Sequence, residues 1–287
     1  MSRTQSLLAI HLVALCFGVC GILGEVIQAD AAFITWGRAM FAVVALTLFG
    51  KFLGTRPVHP VSASHRWRAL LLSGAMLAVH WVTFFVSVKV GGIAVATLGF
   101  ASFPAFITFI EWAILREQVT RAEWVRLLLV SVGLVLVTPS LSLDNAGTTG
   151  LLWGLVSGAT FGLLAVINRR SLAGVDALQV AGVQNLVVFL LLCPWALPSV
   201  GAVSMNSWFW ILVLGVICTG LAHLLFVSSL RQLHARTAGL VVALEPVYAI
   251  AFAWMLFGQT PGVRTLIGGC IMIGAILSAS LAIKNAN

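Results

Sequence analysis

Ionisable side chains in the middle of long apolar runs are the residues of this sequence best placed to do chemistry. A charge at the centre of a membrane helix costs on the order of 2.5–3.5 kcal/mol on insertion scales, so it tends to face a cavity or a partner. Glu245 lies deep in such a run, directly before Pro246. A proline there removes one backbone hydrogen bond and weakens the helix beside the acid. Glu245 can meet a substrate ammonium group or carry a proton; the plainer alternative is a neutral inter-helix hydrogen bond. His80 is equally central and precedes Trp81. His80, Phe84 and Ser87 share a helix face. An imidazole among aromatic rings suits a ligand polar at one end and apolar at the other, the alternative being a histidine satisfied by a nearby carbonyl. Trp81 either lines the same space or faces lipid.

Arg38 stands about two turns inside its run, where it attracts a carboxylate or snorkels to the headgroups. The loosely equivalent point of the second half offers the neutral hydrogen-bonding pair Gln184 and Asn185. Phe17, Phe100, Phe103, Phe161 and Tyr248 fall at depths from which both halves can line one chamber, Tyr248 on the face of Glu245. For each single Phe, core packing is the competing reading. Glu25, Asn168 and His223 are less central. Glu111, close to Arg116 and Arg121, reads as half of an ion pair. The five cysteines (Cys16, Cys20, Cys193, Cys218, Cys270) show no CxxC or Cys/His spacing, so packing is the expected role of each, with no metal and no cofactor.

The elements that position these residues follow from composition. The 287 residues are 61% hydrophobic and 8% charged, with mean hydropathy +1.09, far from the roughly 25% charged of a soluble domain. Apolar runs of about 20 residues recur end to end, each able to cross hydrocarbon as a helix. The alternation of a barrel is absent. The expected fold is an all-α polytopic membrane protein with ten spans, near 6–25, 32–50, 67–88, 91–114, 123–139, 149–168, 177–196, 207–229, 237–257 and 263–283. The first of these is read as a retained helix, not a cleaved signal. Turn chemistry at Arg56-Pro57, Gly91-Gly92, Pro139 to Thr149, Pro198 to Asn206 and Pro261-Gly262 separates several of them. Trp36, Trp67, Trp124, Trp153, Trp195, Trp208 and Trp210 fall near predicted ends, as an interfacial belt requires.

Basic residues orient the chain. Of its 16 Lys and Arg, only Arg38, Lys89 and Arg264 fall outside when the N-terminus is cytoplasmic, which places both termini inside. The net charge of +8 then reflects topology and anionic lipid headgroups, and nucleic-acid binding is not expected.

The chain also resembles itself. At an offset of 142, Phe84 falls on Phe226, Ser87 on Ser229, Pro104 on Pro246 and Trp112 on Trp254, and Phe103 takes the place of Glu245. Upstream, an offset of 140 pairs Gly18 with Gly158 and Ile27 with Ile167. Two five-helix repeats, 1–142 and 143–287, are expected, and an odd number of spans per copy makes them inverted, as in many secondary transporters.

The stretch from Thr219 to Leu277 resembles the EamA branch of the drug/metabolite transporter superfamily. The resemblance lies in a helix ending Leu230-Arg231, a short Ala-containing turn, then Leu244-Glu245-Pro246 and Gly258-Gln259, where the family often has Glu in place of Gln259. Phe103-Pro104 and Arg116-Glu117 form the weaker copy in the first half. This resemblance implies a ten-helix carrier of the bacterial inner membrane. His80 with the polar-plus-aromatic chamber is similar to the subgroup that exports aromatic amino acids. Alternating access around a midplane site is the expected mechanism, with a facilitative uniporter or a broad drug/metabolite exporter as alternatives. An intramembrane enzyme is not expected: Gly154–Gly158 is no GxSG elbow and no HExxH occurs. The expected partners are a small-molecule substrate and membrane lipid.

Overall fold

The computed structural model describes residues 3–52, 64–138, 142–172, 175–230, 241–242 and 244–284. Twelve α-helices are present among them: α1 Arg3–Val26, α2 Ala31–Phe52, α3 Ser64–Gly91, α4 Ile93–Phe100, α5 Phe103–Ala113, α6 Arg121–Val137, α7 Ala146–Ser171, α8 Ala177–Ala196, α9 Met205–Gly215, α10 Ala222–Leu230, α11 Glu245–Phe257 and α12 Val263–Lys284. Seven helical segments are long and apolar enough to cross a membrane, the joined α4–α5 and α9–α10 counting as one each, and α11 and Val263–Ala275 are shorter apolar helices. The Leu230-Arg231 dipeptide partly, and Arg56-Pro57, Pro139, Arg236 and residues 237–240 of the ninth expected helix wholly, lie outside the described residues.

Local chemistry sets the helix starts. Thr120 and Glu123 form a reciprocal capping box on α6, and Asn145, Asp176 and Ser204 cap α7, α8 and α9 through their side-chain oxygens. Two expected spans are broken where sequence reading expected only weakening. Pro104 sits in the first turn of α5, after Ala101 and Ser102 interrupt the helix. Pro246 sits in the first turn of α11, with Leu244 as the preceding turn residue. A first-turn proline loses no helical bond, because the N–H it lacks is one of the orphans there. Glu245 is thus an N-terminal helix residue, not a mid-helix one.

Packing partners come in matched pairs. Helices α3 and α4 pack on α7 as α10 and α11 pack on α1; α3 meets α8 as α2 meets α9; α2 pairs with α8 and α6 with α12. Small residues allow the closest approaches: a Cβ on Gly91 would stand 2.9 Å from Cα of Gly150, and one on Gly99 3.0 Å from Cα of Gly154. The environment of Gly18 (the Glu245 carbonyl, Tyr248 Cβ, the Ala249 amide) repeats around Gly162 (the Phe103 carbonyl, Phe106 Cβ, the Ile107 amide). Phe103, Phe106 and Ile107 keep the offset of 142, but Gly18 corresponds to Gly162, not to Gly158. The sequence match at 140 was therefore displaced by one helical turn, an error that a run of interchangeable apolar residues permits.

The largest core cluster joins α1, α2, α3, α4, α7, α8, α9, α10 and α11. Trp36, read as a belt residue, belongs to it: it is buried, stacks on Phe189 and meets Phe33 and Trp208 edge-on or tilted. Trp67, Trp124, Trp153 and Trp195 are exposed, as a belt requires.

Candidate functional site

Arg38, on α2, is 4% exposed. Its guanidinium lies over Trp81 with Cζ 4.0 Å from the ring centroid, and 5.7 Å from the ring of Phe85. This is cation–π geometry in a desolvated setting, so Arg38 does not snorkel and Trp81 does not face lipid. Nε donates to Thr219 Oγ1 at 2.9 Å and Nη2 to Cys20 Sγ at 3.6 Å. Thr219 belongs to a π-helical turn, Val216–Leu221, between α9 and α10. Its hydroxyl donates to the Leu214 carbonyl five residues back, and the wider turn carries it out toward α2; such insertions are frequent at functional sites. The remaining guanidinium N–H groups have no acceptor among the described residues, and no carboxylate reaches Arg38 within ion-pair distance.

Glu245 is 6% exposed. Gly18 lets α1 pass against its carbonyl, and two residues further along α1 Cys20 accepts from Arg38, so one stretch of α1 adjoins both. Among the described residues the Glu245 carboxyl has no hydrogen-bond partner. The acid thus stands at the positive end of α11 with its hydrogen-bonding capacity unspent. Cys20 Sγ, which accepts from Arg38, donates to the Cys16 carbonyl one turn back, and Cys218 is buried in the same apolar cluster as Cys16 and Cys20. No group of three His, Cys, Asp or Glu among the described residues has metal-holding geometry.

A second, aromatic half adjoins this polar one. His80 is 6% exposed, with ring-centroid distances of 5.0 Å to Phe100 and 4.9 Å to Phe161. Phe100 also stacks on Phe103 and meets Phe84 edge-on, while Phe103 meets Phe161 edge-on. His80 Nδ1 lies 2.8 Å from Ser157 Oγ and 3.1 Å from the Ser157 carbonyl. Ser157 Oγ donates back to the His80 carbonyl. Because the hydroxyl has a single proton, Nδ1 must carry the hydrogen of the shared contact, which leaves Nε2 of a neutral ring as an acceptor. The carbonyl-satisfied histidine envisaged from sequence is thus half of the arrangement.

Phe17 and Tyr248 both pack against a separate apolar cluster of Ile10, Val13, Ala14 and Val241, and Tyr248 Oη lies 3.3 Å from His11 Nδ1. Gln184 and Asn185 are not brought in. The Gln184 amide donates to Ser73 Oγ and Asn168 Oδ1, and that of Asn185 to the Ala181 carbonyl, a network roughly 10 Å from His80 by helical rise along α3. Glu111 is ion-paired, but with Arg169 of α7, and Glu117 pairs with Arg170. Sequence reading missed Cys20, Thr219 and Ser157. The i, i+4 spacing of Cys16 and Cys20 was a usable signal for a shared face; a lone mid-span Ser or Thr carries none.

The EamA-like transporter family matches twice, over residues 4–138 and again over 148–281. The chain belongs to this family. Curated relatives include the transporter YwfM of Bacillus subtilis, 25% identical over 75% of this chain and 74% of that one. A transporter of Archaeoglobus fulgidus is 24% identical over 85% and 87%, and the pseudopaline exporter CntI of Pseudomonas aeruginosa is 23% identical over 74% of each chain. One solved crystal structure covers all of both chains with a TM-score of 0.65 at 15% identity, which shows the fold. The protein is a multi-pass membrane transporter.

Proposed function

We propose that this EamA-family member is a ten-span carrier that exports amino acids, with aromatic and large apolar ones favoured, across a bacterial inner membrane by alternating access. The two family matches and the paired packing support five-helix units, 1–142 and 143–287, related by inversion, and the bias of Lys and Arg supports cytoplasmic termini. The observation that carries the substrate reading is the juxtaposition of two unspent, oppositely charged groups with an aromatic box. Arg38 offers free donors to a carboxylate and Glu245 an acceptor to an ammonium. His80, Phe84, Phe100, Phe103 and Phe161 offer ring faces and edges against which an apolar side chain can pack. Each charge is buried without an ion-pair partner among the described residues, an arrangement that is costly unless a ligand supplies the countercharge. Pro104 and Pro246, each opening a half-helix beside the box or the acid, provide points at which the two units can flex.

Export is favoured over uptake by the relative named as an exporter. Its cargo, pseudopaline, also keeps a broader metabolite-exporter reading in view. The test is resistance of cells to a toxic aromatic amino-acid analogue such as p-fluorophenylalanine. Expression of the wild type should raise the inhibitory concentration, and Glu245→Gln at equal membrane abundance should not. Equal sensitivity with and without the wild type would refute the amino-acid reading.

A further inference from the structure

We infer that Thr219, through its π-turn, is the positioning residue that makes the carrier select for a carboxylate on its substrate. The inference rests on the reading of Arg38 as the substrate's anion receptor and adds the device that sets its donors. Arg38 is in the first family-matched segment and Thr219 in the second, so their bond crosses between the two halves. A guanidinium presents a planar fork whose use depends on its angle, and here two contacts fix that angle. Trp81 supports one face at 4.0 Å, and Thr219 takes Nε at 2.9 Å. With Nε committed to Thr219 and one Nη2 proton directed at Cys20 Sγ, the N–H groups left over belong to the terminal nitrogens. Those are the donors that grip a carboxylate.

The π-turn is what makes the commitment possible. Thr219 Oγ1 sends its own proton to the Leu214 carbonyl, so the oxygen can only accept from Arg38 and cannot compete as a donor for the substrate's anion. In a regular α-helix the bond back would be to residue 215, and the side chain would be turned by about 100°. Gly215 fits this design: a Cβ there would stand 2.7 Å from the Arg38 carbonyl, so only glycine lets α2 lie against the turn.

The test uses the purified full chain in detergent, reading the shift in melting temperature with phenylalanine, phenylalaninamide and phenylacetate across a concentration series. Wild type and Thr219→Ser should bind the two carboxylates at least tenfold more tightly than the amide. Thr219→Val, of the same shape, should lose that ratio while keeping a melting temperature close to wild type without ligand. Should Val destabilise the chain, Thr219→Ala with an unchanged elution volume serves the same comparison. A wild-type ratio in both hydroxyl-free variants overturns the positioning role, and a wild type that does not separate carboxylate from amide overturns the receptor as well. Binding of phenylacetate without phenylalanine would leave the anion receptor standing and sink the amino-acid reading. No shift with any of the three would sink both.

Discussion

Replacing Glu245 with glutamine removes the charge while keeping the shape and one acceptor oxygen, and no described residue bonds the carboxyl. The stability effect should be small. A carboxylate in the first turn of α11 gains about 0.3–1 kcal/mol from the helix terminus, and removing a buried charge relieves a desolvation cost of opposite sign. The melting temperature should therefore move by only a few degrees. Substrate binding should change more. A charge-assisted hydrogen bond is worth about 1.5–3 kcal/mol against about 1 for a neutral one, so the loss to an ammonium ligand is about 0.5–2 kcal/mol. At about 1.4 kcal/mol per factor of ten, KM for phenylalanine should rise roughly 2- to 30-fold. The assay is initial-rate exchange in liposomes with phenylalanine and 3-phenylpropanoate, which lacks the amine. KM for 3-phenylpropanoate should stay level or fall, since the Glu245 charge no longer opposes its carboxylate. Equal effects of the substitution on both compounds, or none on either, would refute the assignment of Glu245 to the ammonium.

Four further outcomes follow from other parts of the structure. His80→Ala should impair transport while leaving a folded chain; orphaning Ser157 and opening the space between Phe100 and Phe161 should cost about 2–4 kcal/mol, read as a lower melting temperature. Gly99→Ala should destabilise by about 1–3 kcal/mol, because its Cβ would meet the Gly154 backbone. Gly182→Ala, mid-helix with nothing within 4 Å of its Cβ, should stabilise by up to about 1 kcal/mol. Reversing Arg169 and Glu111 singly should each cost no more than about 1 kcal/mol, given an Arg169 side chain that is 56% exposed, and the double swap should restore the melting temperature in low salt.

Much of this arrangement was legible in the residues. Apolar run length marks most helices, because a span must satisfy its backbone internally. Glu245, His80 and Arg38 could be singled out because a polar group at depth is costly wherever it lies. Direction was harder. Arg38 at two turns from an end is compatible with snorkelling or burial, and only the neighbouring Trp81 and Thr219 decide it. Trp36 reads as a belt residue by position and is a core residue by packing, since depth along a helix says nothing about which face it occupies. The π-turn leaves no mark in Val216–Leu221, whose residues suit an α-helix equally well. Gln184 and Asn185 were placed by loose equivalence with Arg38, and their actual partners, Ser73, Asn168 and Ala181, satisfy their amide N–H donors away from the chamber.

The most direct test of the central claim is entry of labelled phenylalanine into liposomes holding the purified protein, preloaded with unlabelled amino acids, with and without an imposed pH gradient. The account predicts saturable entry, accelerated by internal phenylalanine and blocked by other large apolar amino acids. Entry no faster than into protein-free liposomes, with the protein shown folded and inserted, would contradict it.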